Sequence, residues 1–302
     1  DNSPNDFVYP QNADFTFYGG IYRDVELVIV ADKHFAMDYY GGPGIRVDAE
    51  VEGNRGIVYV KAYTNFSDTE SGKYKVIVSL ADEDGNVVGE AEGRPAESAE
   101  ERRTKGKEPQ SYDAVIELEN ARLWNGVKDP YLYTVQATLV KSGKEVDMVS
   151  CKCGIRTFAF DPDKGFFLNG KSYPLHGVAR HQDFKGIGNA ISQEIMERDM
   201  ELIREIGANT IRLAHYQHSQ YFYDLCDKNG MVAWVEIPYI SSHMPGGREN
   251  TFLQMKELII QNYNHPSIVT WGISNEITIE DKHREDMLDN HKKLHKLCKM
   301  LD

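Results

Sequence analysis

From Gly44 to about Ile155, apolar residues recur at every second position: Ile45, Val47, Ala49 and Val51, then Tyr74, Val76 and Val78, then Tyr131, Tyr133, Val135 and Ala137. Successive side chains of a strand point to opposite faces, so this period predicts short strands with one buried face. Asp84-Gly85-Asn86 and Ser142-Gly143 are turn signals between them, and no helical stretch intervenes. Strands spaced in this way predict an antiparallel sandwich. The polar tract from Glu92 to Ser111, rich in Glu, Arg and Lys, predicts a long solvated loop between two of the strands. Val25, Leu27 and Ile29 also alternate. Residues 1–30 therefore read as strands too few to make a domain of their own, the expected end of one that continues upstream.

Near residue 160 the pattern changes to strand, helix, strand. Short apolar strands are predicted at Ser172 to Ala179, Thr210 to Ala214, Met231 to Ile237 and Ile268 to Ile273. The first helix between them has Ser192 as N-cap, Glu194 in its first turn, an apolar face of Ile195, Met196, Met200, Ile203 and Ile206, and Gly207 as its left-handed stop. The second runs from about Ser219 to Gly230 with Phe222, Leu225 and Cys226 inward; the third starts near Asn250 and buries Phe252, Met255, Leu258 and Ile259. Four consecutive βα units imply a parallel sheet with right-handed crossovers, either doubly wound or the first half of an eight-stranded barrel. The polar residues decide between these. Each strand ends in groups able to do chemistry, namely Arg180-His181-Gln182-Asp183, His215-Tyr216, Glu236 and Asn275-Glu276, which is the pattern of the active rim of a βα barrel. Gly186-Ile187-Gly188 precedes no matching helix start, so nucleotide binding is disfavoured.

Composition narrows the partners. The 302 residues are 41% hydrophobic, enough for two or more cores, and carry a net charge of -13. No basic footprint for nucleic acid or anionic membrane is present, and no run of about 18 apolar residues spans a bilayer. A neutral small molecule is the expected partner. Four cysteines are too few and too unevenly placed for a disulfide framework, and Cys151 and Cys153 share one face of a strand, which favours a reducing, cytoplasmic compartment. The chain opens at Asp1 without an initiator Met and stops inside a charged helical pattern. It is expected to be a piece of something longer, whose missing ends could hide a signal peptide.

Several ordered motifs together resemble a known family. Gly165-Phe-Phe-Leu-Asn-Gly-Lys, Leu175-His-Gly-Val-Ala-Arg-His-Gln-Asp, Gly207-Ala-Asn-Thr-Ile-Arg-Leu-Ala-His-Tyr, Tyr223-Asp-Leu-Cys-Asp, Asn264-His-Pro-Ser-Ile and Trp271-Gly-Ile-Ser-Asn-Glu are similar to the catalytic domain of family-two glycoside hydrolases. Gly20-Ile-Tyr-Arg-Asp-Val resembles the last strands of that family's sugar-binding jelly roll, and Leu123-Trp124 with Pro130-Tyr-Leu-Tyr-Thr resembles its immunoglobulin-like domain. The resemblance implies three parts: jelly-roll strands over 1–30, an immunoglobulin-like sandwich over 31–158, and the first half of a TIM barrel over 159–302. Arg180-His181-Gln182-Asp183 with Ala214-His215-Tyr216 looks closest to the β-galactosidases. A β-glucuronidase or β-mannosidase is the alternative within the family, and a non-catalytic carbohydrate-binding module the alternative outside it.

Retaining hydrolysis of a glycoside needs two carboxyl groups about 5–5.5 Å apart, one to protonate the leaving oxygen and one to attack the anomeric carbon. The resemblance makes Glu276 the acid/base and Asn275 a partner of the sugar 2-hydroxyl. An acid protonated near neutral pH needs an apolar or anionic setting, which a nearby nucleophilic carboxylate supplies. Arg212, flanked by Ile211 and Leu213 on a buried strand, needs an anion. By resemblance that anion is the nucleophile of a later strand; a plain rim ion pair is the alternative. His181 and His215 match positions that hold sugar hydroxyls. Asp14, six residues before Gly20, matches an aspartate that the jelly roll sends into the barrel mouth, although an Asp in a polar segment is also simply solvated.

Two departures from the family pattern stand out. The resemblance implies a magnesium or sodium ion, with magnesium held by the acid/base glutamate and a Glu-x-His motif. Here Glu236 to His243 carries Ser241 where a carboxylate ligand belongs, so the magnesium site is expected to be weak or absent and no metal ligand is assigned. His291 and His295, four apart on the last helix, lack partners for a zinc site. The seventh barrel strand, which bears the nucleophile in this clan, is not reached. The 302-residue chain alone is therefore expected to be inactive, and to self-associate through the unpaired edges of its half barrel.

Overall fold

The computed structural model describes residues 3–66, 72–96, 109–280 and 282–302. Two compact units result: Leu27–Tyr173 with Tyr263–Pro266, and Asp1–Glu26 with Pro174–Asn262 and Ser267–Asp302.

The first unit is the expected sandwich. Its strands are β1 (Ile45–Glu52), β2 (Arg55–Thr64), β3 (Lys75–Ala81), β4 (Val87–Pro95), β5 (Gln110–Leu118), β6 (Tyr133–Lys141) and β7 (Lys144–Cys153). All pairings are antiparallel, in the order β1-β2-β5-β4-β3-β6-β7. β4 joins the two layers: its body pairs with β3, while Arg94 and Pro95 at its end pair with Asp113 and Tyr112 of β5. The alternating residues do what their period predicts. Ile45, Val47, Val58, Val60, Val76, Val78, Leu80, Val135, Ala137 and Leu139 meet in one core, with Ala49 and Val51 packed at its margin. At the Asp84-Gly85-Asn86 turn the chain is held by Asp82, whose carboxylate accepts from the backbone N–H groups of Asp84 and Asn86 and from the Asn86 side chain. These hydrogen bonds hold the Asp82 carboxyl below its usual range. Cys151 and Cys153 point inward on one face of β7, and burial pushes the Cys153 thiol up to about 12, which leaves it unreactive. Of the polar tract from Glu92 to Ser111, Glu92–Pro95 and Gln110–Ser111 are strand rather than loop; residues 97–108 lie outside the described part. A small antiparallel sheet of β8 (Phe158–Asp161), β9 (Gly165–Leu168) and β10 (Lys171–Ser172) completes the unit.

The second unit contains four parallel strands in sequence order: β11 (Gly177–Arg180), β12 (Thr210–Leu213), β13 (Val232–Glu236) and β15 (Ile268–Gly272). Strands that keep chain order, each joined to the next by a crossover, form the curved wall of a βα barrel rather than a doubly wound sheet. The helices are α1 (Gln193–Glu205), α2 (Gln220–Asn229), α3 (Arg248–Asn262) and α4 (Arg284–Leu301). No helix among the described residues is long and apolar enough to cross a membrane. Gly207 and Gly230 stop α1 and α2 with φ of 78° and 69°, values costly for a residue with a Cβ. On α1, Met196, Met200 and Ile203 are buried, whereas Ile206, expected on the same face, lies past the last turn and is 70% exposed. Ser192 occupies the N-cap, but its side chain makes no capping hydrogen bond. Beyond the wall, β14 (Ile240–Ser242) and β16 (Asn275–Glu280) form a two-stranded parallel sheet not foreseen from the sequence.

Residues 3–26 belong to this second unit, and they form no strand. Val25, Leu27 and Ile29 are 77%, 89% and 87% exposed. Alternation alone does not make a strand: the N–H and C=O groups need a neighbouring ladder, and no described segment supplies one.

Candidate active site

The barrel rim is built by strand register. Arg212 of β12 stands opposite Trp234 of β13, and Glu236 lies two residues further along β13 on the same face. The Arg212 guanidinium crosses the Trp234 ring at 5.0 Å and reaches the Glu236 carboxylate. Its Nη2 donates to both carboxylate oxygens, at 3.0 and 3.1 Å, and its Nε donates to Oε2 at 3.2 Å. Nη2 also donates to Asn275 Oδ1 at 2.7 Å. His215, just past β12, places Nδ1 2.5 Å from Glu236 Oε1. Glu236 is fully buried, a position that a carboxylate tolerates only with this many donors. Gly272 of β15 makes the space: a Cβ there would lie 2.6 Å from Glu236 Cβ.

Among the described residues the anion paired with Arg212 is Glu236, on the neighbouring strand, and no other carboxylate pairs with it.

His181 and His215 meet edge to face with ring centroids 5.1 Å apart. Burial, and next the neighbouring His215, lower the His181 pKa, against the opposing charges of Asp183, Asp14 and Glu236. Phe15 packs on both histidines and on Tyr216, with centroids 4.9, 6.0 and 5.4 Å away. Tyr216 Oη accepts from the Gln182 backbone N–H at 3.0 Å. Phe15 and Tyr216 also line a cavity of about 700 Å³ between the segment around Tyr18–Arg23 and the ends of β12 and β13. Volumes of this size suit a small-molecule ligand.

Of the residues singled out in the sequence, the fold brings together Arg212, His215 and Asn275 in one hydrogen-bonded cluster, with His181 beside it. Asp14 is exposed in the segment that carries Phe15, near enough for its charge to act on His181. Glu276 is exposed at the rim with φ of 48°, an uncommon conformation for a residue with a side chain, and its carboxylate makes no hydrogen bond among the described residues. Sequence reasoning placed Glu236 among the polar groups of the barrel rim without giving it a partner, and passed over Phe15. The available signals were the period-two relation of Glu236 to Trp234 and the aromatic run Phe15, Phe17, Tyr18.

Glu236, Ser241 and His243, as the structure places them, offer magnesium no set of free oxygen ligands. Both Glu236 oxygens face cationic or N–H donors. His243 uses both ring nitrogens, on Tyr239 Oη and Asp286 Oδ2 at 2.6 Å each, and Ser241 brings no carboxylate. An octahedral cage of oxygens cannot be assembled from these groups as they stand.

A family model described as glycosyl hydrolases family 2, TIM barrel domain, matches residues 162–302, and one described as glycosyl hydrolases family 2 matches residues 43–156. A β-glucuronidase of Bacteroides fragilis is 41% identical over 286 residues, which cover 89% of this chain and 39% of that protein. A β-galactosidase of Thermoanaerobacter pseudethanolicus is 28% identical over 292 residues, 96% of this chain and 36% of that protein. Among solved structures, an FMN-binding β-glucuronidase from Facaelibacterium prausnitzii L2-6 superposes with a TM-score of 0.89 at 42% identity, covering 100% of this chain and 44% of that one. The chain spans about two fifths of the length of these relatives. The galactosidase expectation drawn from the motifs is narrower than these likenesses support, and β-glucuronidase fits them better.

Proposed function

The chain belongs to glycoside hydrolase family 2, and from that premise we propose that it forms part of a retaining β-glucuronidase. The observation that carries the glycone is the 41% identity to the Bacteroides fragilis β-glucuronidase over 89% of this chain.

In this reading Glu276 protonates the leaving oxygen and, once the aglycone has left, deprotonates the attacking water. Its exposed place on the rim leaves it open to a substrate entering the barrel mouth. Asn275 meets the sugar 2-hydroxyl, while His181, His215 and Asp14 take other hydroxyls. Glu236 is unsuited to attack the anomeric carbon: it is fully buried and both its oxygens are turned to Arg212 and His215. We therefore assign the nucleophile to a later barrel strand and, on the resemblance of Gly20-Ile-Tyr-Arg-Asp-Val, residues 1–30 to the end of a sugar-binding jelly roll.

The test is hydrolysis by the intact gene product of 4-nitrophenyl β-D-glucuronide, β-D-galactoside and β-D-mannoside. The glucuronide is expected to have the highest kcat/KM. A preferred galactoside overturns this reading for a second one, which rests on Arg180-His181-Gln182-Asp183 with Ala214-His215-Tyr216 and on the 28% likeness to a β-galactosidase.

A further inference from the structure

We propose that Glu236 is a positioning residue which, by gripping Arg212 and His215 together, turns the Asn275 amide and the His215 imidazole so that each offers a defined atom to the sugar.

An amide can face either way round, and a neutral imidazole can carry its proton on either nitrogen, so the neighbours decide both. Arg212 has only donors. Its Nη2 lies 2.7 Å from the Asn275 amide, so Oδ1 must face the guanidinium and Nδ2 must face away. No described residue accepts from Nδ2, which leaves Asn275 as a hydrogen-bond donor on the open rim. His215 follows the same logic. Its Nδ1 lies 2.5 Å from a Glu236 oxygen and 3.3 Å from Arg212 Nη2. A proton on Nδ1 satisfies the carboxylate, and the 3.3 Å approach to Arg212 is then a contact between two donors rather than a hydrogen bond. Nε2 is left without a partner among the described residues and available to a hydroxyl.

Glu236 is the residue that ties these choices together. Arg212 is 30% exposed and could adopt other rotamers, but the buried carboxylate holds it from two sides. The space for that carboxylate is kept by Gly272. Glu236 touches no substrate in this scheme and acts through Arg212 and His215. The proposal rests on the glycosidase reading above, in which Asn275 meets the 2-hydroxyl, a contact whose hydrogen bonds strengthen in the transition state.

The experiment compares the intact gene product with its Glu236→Gln variant on a 4-nitrophenyl β-glycoside that it hydrolyses and on the 2-deoxy analogue of that substrate. On the parent substrate kcat is expected to fall about 100-fold with KM little changed, the signature of an interaction made in the transition state. On the 2-deoxy analogue, which has already lost the hydroxyl, the fall is expected to be about threefold or less. Equal losses on both substrates overturn the proposal, because a merely structural defect does not distinguish them. If Glu236→Gln does not fold, Asn275→Asp tests the same link: it keeps an oxygen toward Arg212 but removes the donor, and it must show the same dependence on the 2-hydroxyl. Nitrogen-15 NMR of the histidines stands apart from activity. His215 is expected in the Nδ1–H form in the wild type, and finding the proton on Nε2 overturns the proposal. A wild type inactive on every glycoside overturns the glycosidase reading instead, and the NMR result then decides the positioning role alone.

Discussion

The sandwich and the barrel unit use burial for different ends. Among the described residues the sandwich buries three polar side chains, Thr64, Gln110 and Ser111, none of them charged. The barrel unit buries twelve, among them Arg180, His218, Asp227, Glu236 and His243, so its interior must be satisfied by specific hydrogen bonds rather than by apolar contact alone. Apolar burial is tolerant of which residue supplies it and indifferent to direction. Buried charge is neither, and it fixes orientation at the cost of stability if one partner is lost. The contrast separates a unit specialised for stability from one specialised for geometry.

The contrast can be broken most strongly at Glu276. In the intact gene product, Glu276→Gln is expected to lower kcat on glycosides with poor leaving groups by about 10³-fold, with no change in thermal unfolding, since the side chain is exposed and unpaired. A residual activity above one tenth of wild type on those substrates removes Glu276 from the role of acid/base. The sandwich should show the reverse pattern. Leu139→Ala deletes a fully buried side chain and is expected to cost about 2–5 kcal/mol in urea unfolding, with kcat unchanged in the protein that remains folded. Between these lies Gly272→Ala, whose added methyl meets Glu236 Cβ and Trp234 Nε1 at 2.6 Å. It is expected to cost about 1–3 kcal/mol and to reduce kcat in the same variant, because overpacking here displaces the carboxylate that holds Arg212. Loss of stability with full activity shows that the cluster does not depend on its packing.

The same contrast explains what could be read in advance. The sandwich core was visible because alternation reports directly on a half-buried sheet; Val76, Val78, Val135 and Ala137 are buried as their period predicts. The four barrel strands were visible as short apolar runs between helices, and the polar residues at their C-terminal ends marked them as a barrel wall. What the sequence did not disclose is pairing. Arg212 called for an anion, yet its partner lies 24 residues away and is identified only by the register that sets Arg212 opposite Trp234. Val25, Leu27 and Ile29 show the converse, since their alternation needs a neighbouring strand that no described segment provides. The pairing of β14 with β16 was hidden for the same reason, because nothing local in Ile240–Ser242 marks it as the partner of Asn275–Glu280.

The smallest expected effect concerns acid. His218 is fully buried in the barrel unit, with Arg180 Nη1 3.1 Å from its Nδ1 and the Ala214 carbonyl oxygen 3.0 Å from its Nε2. Nδ1 must accept from the guanidinium while Nε2–H donates to the carbonyl, so the ring is neutral. Burial, and next the charge of Arg180, hold its pKa well below the usual histidine value, with Arg23 and His181 acting in the same direction and the Ala214 hydrogen bond opposing them. The unfolded chain takes up this proton near pH 6.5, whereas the native ring takes it up only well below that. Between the two values the unfolded state holds more protons, so stability falls as the pH is lowered from about 6.5, by at most about 1.4 kcal/mol per pH unit for this one group. Urea unfolding of wild type and His218→Asn at pH 7.0 and 5.5 isolates the effect. The variant loses its two ring hydrogen bonds and is expected to be less stable at pH 7.0, but its further loss on acidification should be smaller than that of the wild type. An identical pH dependence in both proteins places the acid sensitivity elsewhere and removes His218 from the account of what the barrel unit's buried polar groups cost.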